Sequence, residues 1–267
     1  AALLSDNGSG PEYLIEYPED QQLAGISFAT TLGGIAFSGE VTHKLDVPFQ
    51  INSAQLLNAI LTADATKALV IAGAGASALP EADALAIPGV REAVIDALPN
   101  SFAKEVAFLA DGETIAGYKT FDVTQVQVTA IKLIDQVLGA SRFIIVAEAG
   151  YTYAHDFDEN DALKFDGDIH LIDTVTESSW GYRGLIVGQY NNVFAGVNLS
   201  PELTWSEDVK GVSPAPGGNF AEGQEVLGLS LNAEYQNMYS AGISYTQYTG
   251  GVIADRDFAS ISVGMQF

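Results

Sequence analysis

Residues 257–267 alternate strictly, with Ala259, Ile261, Val263, Met265 and Phe267 on one face and Ser260, Ser262, Gly264 and Gln266 on the other. A period of two predicts a β-strand, because successive side chains of an extended chain point to opposite sides. The two preceding segments repeat the design. Tyr239, Ala241, Ile243 and Tyr245 oppose Ser240, Gly242, Ser244 and Thr246, while Leu227, Leu229, Leu231, Ala233 and Tyr235 oppose Gly228, Ser230, Asn232 and Glu234. The same alternation marks residues 193–205, residues 143–153 with Glu148 on the polar face, and residues 35–41 with Glu40 there. It is weaker over 180–190, where Leu185 and Val187 share the polar face with Arg183. Residues 23–32 and 125–134 complete about nine strands of roughly ten to fourteen residues, against ~5 to 6 in an ordinary soluble sheet.

The connections alternate too. Tight turns fall at Gly33-Gly34, 135–140, Asn191-Asn192 and Asn237-Met238, whereas 46–121, 155–177, 207–222 and 250–256 are mostly long. Short connections on one side, long ones on the other and strands with one apolar face predict an antiparallel transmembrane β-barrel, or the C-terminal part of one. Aromatic residues near the strand ends, among them Tyr151, Trp180, Tyr190, Trp205 and Tyr239, would form its interfacial girdles. A soluble β-sandwich also alternates, because one face of each sheet is buried. It does not sort its loops by length, so the barrel is the expectation here.

Composition sharpens this picture. The chain has 34 Asp+Glu against 11 Lys+Arg, a formal charge of −23, and no cysteine. These numbers exclude disulfide scaffolds, thiolate metal sites and thiol catalysis, and they argue against a nucleic-acid partner, which needs a basic patch. A hydrophobic fraction of 48 % is too high for a disordered acidic chain, so the acids must be segregated from the apolar positions. They are: Asp156, Asp158, Glu159, Asp161, Asp166, Asp168 and Asp173 crowd one long connection. No basic region followed by an apolar run opens the chain, and the longest uncharged apolar stretch, 68–79, is short of the ~20 residues of a spanning helix.

Several segments resemble one family, the outer-membrane proteins of domain-of-unknown-function family 1302. They include Glu16-Tyr17-Pro18-Glu19-Asp20, Pro48-Phe49-Gln50-Ile51-Asn52, Gln125-Val126-Gln127-Val128-Thr129, Asp135-Gln136-Val137-Leu138-Gly139-Ala140 and Ser179-Trp180-Gly181-Tyr182-Arg183. Asp208-Val209-Lys210-Gly211, Pro216-Gly217-Gly218-Asn219-Phe220 and Asp255-Arg256-Asp257-Phe258 continue the match. The resemblance implies a barrel integral to a bacterial outer membrane, loosely similar to porin-like and fatty-acid-channel barrels, with no settled substrate. The chain resembles the C-terminal half of such proteins, and terminal Phe267 resembles the signal read by the barrel assembly machinery. Single-chain barrels have even strand numbers, so about nine strands should not close alone. Earlier strands, or another copy of the chain, are expected to complete them.

With Phe267 at the periplasm, 46–121 is one extracellular insertion within the barrel region 1–267. Ser53 is expected to cap a helix carrying Leu56, Leu57, Ile60 and Leu61, and residues 88–98 to form a second with Val90, Val94 and Ile95 on one face. This insertion is either a lid offering an apolar surface to a hydrophobic solute or a packed cap with its own core; buried packing is the commoner fate of such residues. Glu40, Glu148, Arg183 and Glu234 fall on lumen faces, as a solute-selecting constriction or as ion pairs that stiffen the barrel. Asp156, Asp158 and Asp161 have oxygen ligands at spacings that suit calcium, but without the twelve-residue loop pattern a solvated face is the simpler reading, and no cofactor is expected. Loosely held divalent cations could bridge these acids to lipopolysaccharide.

Catalysis has little support in His43, His155 and His170, and Asp255, Arg256 and Asp257 read as a turn-stabilising ion pair. The expected function is therefore a non-enzymatic outer-membrane channel or transporter for a small, hydrophobic solute. The alternative is a structural barrel presenting an acidic extracellular surface to a partner.

Overall fold

A computed structural model describes residues 2–6, 10–109, 113–167, 175–215 and 217–266. In chain order the elements are β1 (Ala2–Asp6), β2 (Gly10–Leu14), β3 (Gln22–Leu32), β4 (Ile35–Gln50), α1 (Ser53–Gly73), α2 (Glu81–Leu85), α3 (Val90–Ala97) and α4 (Ser101–Val106). They continue with β5 (Thr114–Ala116), β6 (Tyr118–Val137), β7 (Ala140–Ala154), β8 (Ser178–Phe194), β9 (Val197–Lys210), β10 (Glu225–Tyr235), β11 (Tyr239–Thr249) and β12 (Phe258–Met265). Nine of the strands form one antiparallel meander in the order β12-β11-β10-β9-β8-β7-β6-β4-β3, and β3 and β12 do not pair with each other, so the sheet is open. Most of the expected strands lie within these, and 125–134, 143–153 and 180–190 are lengthened at both ends; the expected 193–205 instead straddles the β8–β9 turn, and β12 is shorter than the expected 257–267.

Register sorts the side chains into two faces. Pairing across Phe28, Gly39, Val128, Ala149 and Tyr182 defines an apolar face, and pairing across Glu40, Gln127, Gly150, Gly181 and Asp208 a polar one. The exposure of these faces is inverted relative to a water-soluble sheet. Apolar-face Leu229, Ile243, Ile261 and Val263 are 52 %, 55 %, 79 % and 84 % exposed, whereas polar-face Ser230, Ser244 and Thr246 are half-buried. A sheet that curls toward its polar side crowds that side and opens the other.

The core lies elsewhere, at the end of the sheet that carries the long connections. Phe49 and Ile51 at the end of β4 pack with Leu56 of α1, Val94 of α3, Phe102 of α4 and Phe157, Leu163 and Phe165 of the acidic connection. That connection therefore folds inward on apolar anchors at 157, 163 and 165, between its charges. Helix α1 is long and apolar enough to cross a membrane, but its Leu56, Ala59, Ala63 and Ile71 stripe is buried in this end of the molecule.

Four local readings are corrected. Asn52, not Ser53, caps α1, accepting the Gln55 N–H at 3.2 Å. The β8–β9 turn is at Ala195-Gly196 (φ 49° and 86°), not Asn191-Asn192. Asn192 instead makes a bulge, its side chain accepting from Gly196 N while its own N–H donates to Asn198 Oδ1. Residues 1–11, with Asp6, Asn7, Gly8 and Gly10, have the composition of a loop, yet 2–6 and 10–14 are short strands, because β1 finds a remote partner in β5. Arg256 makes no ion pair among the described residues; Asp257 instead accepts from Tyr245 Oη and Tyr248 N at 2.7 and 2.9 Å.

Buried Lys67 ties α1 to α2, with its Nζ 3.0 Å from Asp64 and 2.9 Å from Glu81. Burial alone would lower its pKa, but the hydrogen bonds and charges of Glu81 and Asp64 outweigh that and hold it above the usual 10.5. A pKa raised on folding stabilises the fold below the unfolded value and ceases to do so as pH climbs past the folded one. Melting of the helices by circular dichroism should therefore be insensitive to this group up to pH 10.5 and weaken in more alkaline solution. The variant Lys67→Met should abolish that alkaline limb.

Candidate functional site

Three of the four polar-face candidates converge. Glu40 on β4, Glu148 on β7 and Arg183 on β8 line one cleft of about 170 Å³ together with Gln125, Gln127 and Asn219. Glu148 and Arg183 are directly opposite in register, but no ion pair joins them; Glu148 Oε2 accepts from Thr129 Oγ1 at 3.1 Å. Of the two readings, the stiffening pair of Arg183 with a glutamate is thus not formed. Glu234 lies outside this cleft, on β10 between Asn198 and Ser240.

The cleft has a roof the sequence did not reveal. The connection 211–224 turns back over the polar face, and the Phe220 ring lies on Gly150 and Gly181, which are opposite each other on β7 and β8. A Cβ at Gly150 would stand 3.0 Å from Phe220 Cζ, so this glycine position is what admits the ring. The connection is pinned on both sides of the ring. Ser213 N donates to Phe220 O at 2.9 Å, Phe220 N to Ser213 Oγ at 3.2 Å and Ala221 N to Asp208 Oδ2 at 3.0 Å, while the Ser179 and Ser213 hydroxyls bond at 2.9 Å. The sequence signal was present as two glycines at facing polar positions plus the Pro-Gly-Gly-Asn-Phe segment, but only register brings them together.

Below the cleft the polar face changes character. Thr129, Glu148 and Arg183 form one row; the next rows are Ile131, Val146 and Leu185, then Leu133, Ile144 and Val187. Asp135 and Arg142 close the series, ion-paired at 2.7 Å.

The remaining candidates are scattered. Leu56 is buried and Ile60 packs against the core, whereas Leu57 and Leu61 of the same helix are exposed. Asp158 and Asp161 carboxylates accept from Asn160 N and Leu163 N, ordinary turn contacts, and Asp156 is exposed in a left-handed conformation. Among the described residues no group of three or more histidine, aspartate or glutamate side chains is placed to hold a metal ion. His43 and His155 both bond the Thr124 hydroxyl, at 3.0 and 2.8 Å. Phe267, His170, Asp168 and Asp173 lie outside the described residues.

Asp166, counted above only as one of many acids, is buried and binds the start of α1. It accepts from Asn52 Nδ2 at 2.8 Å, Ser53 N at 3.2 Å and Ser53 Oγ at 2.8 Å, and its backbone carbonyl accepts from Ala215 N at 2.8 Å. One residue thereby links α1, the acidic connection and the connection that carries Phe220. Asp166→Ala should cost about 2 kcal/mol, from several lost charge-assisted bonds at a helix N-terminus. Faster proteolysis of 155–167 and of the start of α1 checks it; unchanged cleavage at both would show that the Asp166 carboxylate does not hold them together.

These features define an open antiparallel meander with a helical cap at its long-connection end and a polar-face cleft roofed by Phe220. The chain belongs to the family described as protein of unknown function DUF1302, which it matches over residues 2–267. No curated protein and no solved structure matches it.

Proposed function

We propose that this chain forms the strand-rich wall of a β-barrel in a bacterial outer membrane, and that the barrel passes a small solute with an apolar body. The observation that carries this reading is the inverted exposure of the sheet. Large aliphatic side chains face outward unpartnered and the polar side chains face the crowded side, the arrangement hydrocarbon favours and water does not. Aromatic residues sit at both ends of the apolar face: Phe143 and Tyr151 on β7 are eight residues apart, ~26 Å at 3.3 Å per residue, which suits a tilted membrane strand.

Strands β3 and β12 both run toward the tight-turn end, so an all-antiparallel closure needs an odd number of further strands between them. These come from polypeptide beyond this chain or from a partner. In this orientation the cap and its acids face the cell exterior and lipopolysaccharide, and the tight turns face the periplasm.

Density-gradient fractionation of a Gram-negative host tests the reading. The protein is expected in the outer-membrane fraction, with electrophoretic mobility that changes on boiling; recovery as a soluble monomer would overturn it. Conductance in a planar bilayer tests passage separately, and a chain that inserts without conducting is an anchor.

A further inference from the structure

The aliphatic rows on the polar face call for an occupant. Ile131, Val146 and Leu185 lie directly above Leu133, Ile144 and Val187, forming a shelf two residues deep and three strands wide. Ile131 and Leu133 are exposed, the other four are half-buried, and none belongs to either buried core cluster. Toward β9, β10 and β11 the adjoining positions of this face are Glu202, Thr204, Gly228, Ser230, Ser244 and Thr246, so the shelf is an apolar surface bordered by polar positions.

Charge around the shelf selects what lies on it. Glu148 is two residues above Val146 on the same strand, and Glu202 is directly opposite Val187. Glu40 shares the cleft with Glu148, and Asp208 shares the neighbouring cleft with Arg183. Against these carboxylates stand Arg183 and, four residues from Glu40 on the same face of β4, Lys44, since Arg142 is already neutralised by Asp135. The polar row over the shelf is thus net acidic, within a chain of net charge −23. An electronegative, partly enclosed surface concentrates cations and repels anions.

We propose that the shelf binds the apolar body of a small organic cation, an alkylammonium, with its charged head between Glu148 and Glu40 beneath Phe220. This rests on the barrel reading and names the solute class that it leaves open. Two rows spaced ~6.6 Å apart accommodate a chain of about six carbons below the head. Arg183 opposes the head and keeps binding weak enough for release, as conduction requires.

The test is calorimetric titration of the protein in phosphatidylcholine nanodiscs, with empty discs as blank, using hexyltrimethylammonium, tetramethylammonium and hexanoate. Hexyltrimethylammonium should bind about tenfold or more tightly than either of the others. Glu148→Gln should weaken it about tenfold and Arg183→Gln strengthen it severalfold, while Val146→Thr with Leu185→Thr should weaken it without changing tetramethylammonium. Glu40→Gln serves in place of Glu148→Gln if the latter does not insert. Hexanoate binding as tightly as the cation, or indifference to both glutamate substitutions, overturns the assignment. A protein that inserts and conducts but binds no hexyltrimethylammonium refutes the site alone, whereas one that never enters the membrane refutes the barrel.

Discussion

Phe49→Ala is expected to destabilise the helical cap by about 4 kcal/mol, the range for removing a fully buried phenylalanine. Phe49 has no exposed surface, and its ring stands 4.9, 5.8 and 6.2 Å from those of Phe121, Phe157 and Phe165. It is the point where the end of β4, the acidic connection and the helices meet. Truncation leaves a cavity walled by the rings of Phe121 on β6 and of Phe157 and Phe165 in the acidic connection, all packed in the same core. Trypsin should then cut at Arg91 and Lys104 at lower temperature while the β-sheet signal of circular dichroism is retained. Loss of sheet and helix at one temperature would show instead that cap and sheet fold as one unit.

The second large effect separates the two faces of a single strand. Leu229 and Ser230 are neighbours at the middle of β10, on the apolar and polar faces respectively. In a water-soluble sheet, arginine at a leucine already half exposed would be nearly neutral. In a bilayer, Leu229→Arg should cost about 2–4 kcal/mol because the charge sits near the hydrocarbon midplane, while Ser230→Arg points inward and should cost little. Refolding into vesicles followed by denaturant titration measures both. Equal stability of the two variants would contradict a lipid-facing Leu229.

The strands were legible because alternation is a local property: the hairpins from residue 225 onward read directly from Leu227, Leu229 and Leu231 against Gly228, Ser230 and Asn232. The cleft was half legible. Glu40, Glu148 and Arg183 were assigned to one face by parity alone, and parity is reliable within a strand. Their convergence, and the absence of Glu234 from it, depend on register between strands, which alternation leaves open. Phe220 was invisible for the same reason, since its seat is made by two glycines 31 residues apart in sequence. Asp166 was hidden by company: eight acids in one connection read as a solvated run, and nothing local marks the one that turns inward. Leu185 and Val187 registered only as blemishes in a pattern, although with four partners from other strands they are the shelf.

The insertion between β4 and β6 also bears on the order in which the molecule assembles. Every other neighbouring pair in the large sheet is joined by a far shorter connection, whereas β4 can meet β6 only after the chain between Gln50 and Tyr118 has been looped out. Loop closure of that length carries an entropic cost that adjacent hairpins do not bear. The seven strands β6 to β12 are therefore expected to zip together first, with the β3–β4 hairpin docking late onto the free edge of β6. The cap comes last, because its core takes Val123 and Ala154 from the early strands and Phe49 from the late one. Pulsed hydrogen exchange would report this as protection of β10 and β11 before β4; the reverse order would mean that the cap nucleates the fold.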